Sequence, residues 1–160
     1  MHGSKIAQAG LMIAILAFPA HAVLAAASPF AAMAGTWTGG GVLQSSDGTQ
    51  ERLRCRADYD PAGPTELRLS LRCASASYNF DLTSNVQDRD GRISGSWAEA
   101  SRNASGTISG RAAGGRIEAL AQGQNFSAAL SLSTRGNRQS VSLRPRGTNI
   151  TEVSLELNRR

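Results

Sequence analysis

Beyond residue 27 the chain has no histidine and no lysine; His2, His21 and Lys5 all lie before that point. Without imidazole, Ser-His-Asp and Cys-His catalysis, His-ligated metal sites and a histidine pH switch are excluded. Cysteine is also scarce. Cys55 and Cys73 are the only two, too few for a four-thiolate metal site and not spaced as a CxxC redox motif. Aromatic residues make up 5% of the chain. A small core with few large rings gains from a covalent cross-link. No run after residue 27 is long and apolar enough to span a bilayer as a helix. No pair of carboxylates suggests acid–base work. Catalytic residues, metal ligands and cofactors are therefore expected to be absent, and the protein is expected not to be an enzyme.

What is present begins with an address. Lys5 is followed by an apolar run from Ile6 to Phe18, then by small-residue cleavage patterns ending at Ala22 and at Ala27. Residues 1–27 read as a secretory signal peptide and 28–160 as a single domain. Cleavage after Ala27 is preferred because Ser28-Pro29 then opens the domain. A membrane anchor is the competing reading, but Gln8, Gly10, Pro19 and His21 interrupt the apolar stretch. The expected location is the periplasm or the exterior of a bacterium. Export to an oxidising compartment favours a Cys55–Cys73 disulfide. After cleavage 16 Arg face 12 Asp and Glu, a formal charge of +4.

The rest of the chain alternates with period two. Leu53, Cys55, Ala57 and Tyr59 share one face of a segment whose other face carries Arg52, Arg54, Arg56 and Asp58. Leu67, Leu69, Leu71 and Cys73 repeat the pattern after the turn formers Asp60-Pro61-Ala62-Gly63-Pro64. If Cys55 faces Cys73, Ala57 meets Leu71, Tyr59 meets Leu69, Arg56 meets Arg72 and Arg68 meets Asp60. Both cysteines then lie on the apolar face and the pairing centres on Pro64, so bridge and hairpin register agree. Similar segments continue to Leu157, separated by Asp90-Gly91, Gly114-Gly115 and Gly136-Asn137. No stretch has a helical period. Eight to ten strands without crossover helices make an antiparallel meander, expected to close into a small barrel, with a β-sandwich as the alternative.

Gly35-Thr36-Trp37 at the start of the first strand resembles the Gly-X-Trp opening of calycin-type barrels, the lipocalin-like and avidin-like proteins. The resemblance implies a barrel and a structural Trp37 packed across its base. It does not extend to a lipocalin's carboxy-terminal helix or to an avidin's polar ligand set. Small secreted bacterial inhibitors of proteases or lysozyme share the same outline, without a matching inhibitory loop.

Two candidate sites follow. Trp37, Tyr59, Tyr78, Phe80, Trp97 and Phe126 sit at inward positions. They either line a pocket for a small apolar ligand or simply fill the barrel. Small residues at Gly39, Gly41, Ala57, Gly95, Ala119, Ala121 and Ala128 leave the filling open. The second candidate is the outward arginine face of Arg52, Arg54, Arg56, Arg68 and Arg72. It would bind an anion or an acidic envelope partner, or is a solvated surface. Rings and basic groups lie on opposite faces, so nucleic acid is not expected as a partner. Glu99, inward in parity, is expected either to be buried with a raised pKa or to lie past the end of its strand. Asn103, Asn125 and Asn149 match the N-glycosylation pattern and are expected to be chance matches in a bacterium.

Overall fold

The computed structural model describes residues 28–160. The expected signal peptide and its cleavage site lie outside the described residues. Ten strands form β1 (Gly35–Ser45), β2 (Gln50–Pro61), β3 (Glu66–Ala74), β4 (Asn79–Arg89), β5 (Arg92–Glu99), β6 (Ala104–Ala113), β7 (Arg116–Gly123), β8 (Ser127–Arg135), β9 (Arg138–Arg146) and β10 (Ile150–Arg159). Each pairs antiparallel with its neighbours in sequence, and β10 pairs with β1. The sheet is thus a closed barrel with no free edge, and the sandwich alternative is excluded. Short 3-10 turns precede β1 at Ala31–Met33 and join β5 to β6 at Ala100–Arg102.

Alternation sets the wall. On β2, Leu53, Cys55, Ala57 and Tyr59 are buried, while Arg52, Arg54 and Arg56 are exposed. The expected register holds: Cys55 faces Cys73, Ala57 faces Leu71 and Tyr59 faces Leu69. Cys55 and Cys73 form the disulfide. Asp90 and Gly91 turn β4 into β5 with φ of +53° and +81°, the left-handed pair that a two-residue hairpin of this hand requires.

The interior is apolar and the outer face polar, the reverse of a bacterial outer-membrane barrel, whose apolar band faces lipid. Among the described residues no helix is long and apolar enough to cross a membrane.

One end of the barrel, the base, carries connections 62–65, 90–91, 114–115 and 136–137; the other, the mouth, carries 46–49, 75–78, 100–103, 124–126 and 147–149. The base is packed. Phe30 and Met33 tuck beneath the strands, and Trp37 is fully buried. Its Nε1 donates to the Met33 carbonyl at 2.7 Å. The Arg159 guanidinium covers the indole at 4.7 Å and also donates to the Ala32 carbonyl. The Tyr59 hydroxyl donates to Gln139 Oε1 at 2.7 Å, and Gln139 Nε2 donates to Thr134 Oγ1 at 3.1 Å. Each member of this buried chain therefore has a partner.

Candidate functional site: an open chamber at the barrel mouth

Eight strands enclose a space that side chains can just fill, and barrel diameter grows with strand number. Ten strands leave room here, because many inward positions are small. The consequence is visible along single strands. On β3, Leu67 near the base is 2% exposed, whereas Leu69 and Leu71 above it are only half-buried. Leu82 on β4, Ile108 on β6, Leu130 on β8 and Val141 and Leu143 on β9 are likewise half-buried, above Val86, Ala112, Leu132 and Gln139, which are buried. A closed wall shields an inward side chain from outside. Their partial exposure therefore comes from within and marks a candidate apolar chamber in the upper half of the barrel between β3 and β9, where Cys73, Trp97 and Ala128 nonetheless stay buried.

The β10–β1–β2 side differs. Leu43, Leu53 and Ile150 remain buried up to the mouth. Tyr78 roofs this side; its hydroxyl accepts from Asn149 Nδ2 at 3.0 Å, joining the β3–β4 and β9–β10 connections. The chamber thus has a packed floor, an apolar wall and a half-covered mouth.

The six aromatic candidates divide between the two ends. Trp37 and Tyr59 belong to the base and line no open space. Burial pushes the Tyr59 hydroxyl pKa well up, only partly offset by the bond to Gln139. Tyr78, Phe80, Trp97 and Phe126 surround the mouth. Tyr78 and Phe80 stack with centroids 6.1 Å apart, and Trp97 meets Phe126 edge to face at 5.5 Å. Gly106 lies directly opposite both Trp97 and Gly123 in the sheet, and Gly123 packs against the indole. These two bare positions let the ring lie along the wall, where Nε1 donates to the Thr107 carbonyl at 3.1 Å.

Glu99 corrects an expectation. β5 runs through it, and the residue is buried at the mouth. Burial alone pushes its pKa up. The N–H groups of Asp81 (2.8 Å), Ser101 (3.2 Å) and Arg102 (2.9 Å) all donate to the carboxylate and, with the Arg102 charge, hold the pKa below its ordinary value. Glu99 therefore caps the turn at 100–102 as a charged acceptor.

The arginine face also divides. Arg56 pairs with Asp58 at 3.0 Å, Arg72 with Asp81 at 3.5 Å and Arg68 with Asp60 at 3.8 Å, all well exposed. Arg52 and Arg54 line a depression of about 980 Å³ on the β1–β2 wall, with Gly40, Val42 and Ala74–Ala76.

Residue reading alone missed Arg159, Gln139 and Arg102. The first two carried a signal, since they continue the inward parity of Val153–Leu157 and Val141–Leu143. Arg102 stands in a connection, where alternation is silent. Among the described residues no group of His, Cys, Asp and Glu could hold a metal ion.

Solved structures share this architecture. Rv2717c from M. tuberculosis superposes with a TM-score of 0.65 at 17% identity, covering 83% of this chain and 94% of that one. The S-type phycobiliprotein lyase CPES from Guillardia theta gives 0.57 at 12% identity, covering 82% and 89%. The designed barrel EF1p2_mFAP2b bound to DFHBI gives 0.52 at 10% identity, covering 84% and 100%. The chain has the fold of these barrels. At such identities the likeness concerns the fold alone. No protein-family profile and no curated protein matches the sequence.

Proposed function

We propose that this barrel is a secreted or periplasmic binding protein that holds one small, apolar ligand in the chamber at its mouth. The observation that carries the reading is the half-exposure of Leu71, Leu82, Ile108, Leu130 and Leu143 on the inside of a closed wall. Apolar concavities with few polar groups are the usual form of small-molecule sites. A designed barrel of similar fold is bound to DFHBI, so such a frame has room for a small molecule. Calycin-type kinship is part of the proposal, supported by Gly35 and by Trp37 closing the base. Export is supported by the signal-like residues 1–27 and by the disulfide, which an oxidising compartment preserves. A binding role rather than catalysis is supported by the lack of histidine after residue 27 and by Glu99, whose carboxylate is committed to backbone N–H groups.

Titration with the neutral fluorophore N-phenyl-1-naphthylamine tests the reading. Saturable binding at one site per chain is expected, lost when Leu82→Trp and Leu130→Trp fill the chamber. Binding unaffected by the filled chamber would overturn it.

A second reading rests on the depression beside Arg52 and Arg54, which an acidic envelope protein would fit. Under it, Arg52→Ala with Arg54→Ala abolishes capture of such a partner and leaves fluorophore binding intact.

A further inference from the structure

The polar groups around the chamber are unevenly placed, and this bears on the kind of ligand it takes. Only two polar side chains face the chamber wall, and both are committed. Ser84 Oγ donates to the Ser96 carbonyl at 2.8 Å, and Glu99 accepts three backbone N–H groups. A ligand's polar group carried to this depth would lose water without gaining a partner. It must therefore stay at the mouth.

Arg146 at the end of β9 and Arg52 on β2 lie on the outer face, and the connections at the mouth themselves offer one cation. In these five connections, Arg102 is the single Lys or Arg. The one acid in those connections, Asp47, accepts from the Thr49 N–H. The Arg102 guanidinium lies 4.7 Å from the centroid of Phe80, an inward ring at the top of β4. One terminal nitrogen donates to the Asn79 carbonyl at 3.1 Å and reaches Glu99 at 3.4 Å. Among the described residues, Nε and the other terminal nitrogen make no hydrogen bond, and the side chain is partly exposed beside its Glu99 partner. Contact with the ring and the bond to Asn79 restrain the fork, and a restrained fork suits a carboxylate or phosphate better than a mobile ammonium does.

We infer that the ligand is an amphiphile, with an apolar body in the chamber and an anionic head group held at the mouth by Arg102. This rests on the chamber reading above and adds the head group to it.

Calorimetric titration of the full chain with decanoate, decanol and decyltrimethylammonium separates the two. The inference expects decanoate to bind about tenfold tighter than the alcohol or the cation. It expects Arg102→Gln to bring decanoate down to the affinity of decanol, with decanol itself unchanged. Arg102→Lys, which keeps the charge, retains part of the preference. Equal affinity of wild-type protein for decanoate and decanol would overturn the head-group inference and leave the chamber reading standing. So would an equal loss of acid and alcohol in Arg102→Gln, which marks a packing role on Phe80. Binding of none of the three would overturn both.

Discussion

Tyr59 and Gln139 stand 80 residues apart and share a buried hydrogen bond, so neither polar group is left dry and unpaired. The neutral hydroxyl is the form that burial favours, which sets a pH dependence. Its pKa is raised on folding, so its contribution to stability is complete below the unfolded tyrosine value of about 10 and is lost as pH rises past it. Thermal melts should fall steeply above about pH 10 in the wild type and less steeply in Tyr59→Phe. At neutral pH the same variant should lose about 1–3 kcal/mol, because Gln139 Oε1 remains buried without its donor. Glu99 makes a complementary case. Glu99→Ala removes the acceptor for three N–H groups and should cost about 1–3 kcal/mol in urea unfolding, with Glu99→Gln recovering part of it. Neither role was legible in local sequence. Parity placed Tyr59 and Glu99 inside, but their partners come from distant strands or from a turn that alternation does not register.

The strands themselves were legible, for a physical reason. Half-buried strands must alternate, and two cysteines on the apolar face can pair only in one register of the β2–β3 hairpin. The disulfide closes a loop of 18 residues, which in the chain-entropy account is worth about 3 kcal/mol through the unfolded state. Reduction should therefore lower the unfolding free energy from urea titration by about that amount, seen as a lower midpoint, while the far-ultraviolet dichroism of the folded barrel stays the same. β5 to β7 hold a different constraint. A Cβ on Gly106 would fall 1.8 Å from the Gln122 carbonyl oxygen. Gly106→Val should therefore destabilise the barrel and displace Trp97, seen as a red shift of its fluorescence. The structure shows that Gly106 sits between Trp97 and Gly123, the glycine against which the indole packs.

At the scale of the molecule, closure decides what the sequence could not. Inward parity put leucines and small residues on one face, but whether they meet across the barrel depends on strand number and on how the mouth is roofed. The Tyr78–Asn149 contact spans 71 residues and covers one side only. Overpacking tells filled from open space: an added ring in a well-packed core costs about 1–3 kcal/mol. Leu82→Trp should therefore melt within a few degrees of wild type, whereas the same enlargement at Leu67 in the base should be strongly destabilising. The most direct measurement is a crystal structure under xenon pressure, since xenon enters dry apolar cavities. The account predicts xenon density among Leu71, Leu82, Ile108, Leu130 and Leu143, and none around Trp37. Side chains collapsed across that space, with no xenon between them, would contradict it.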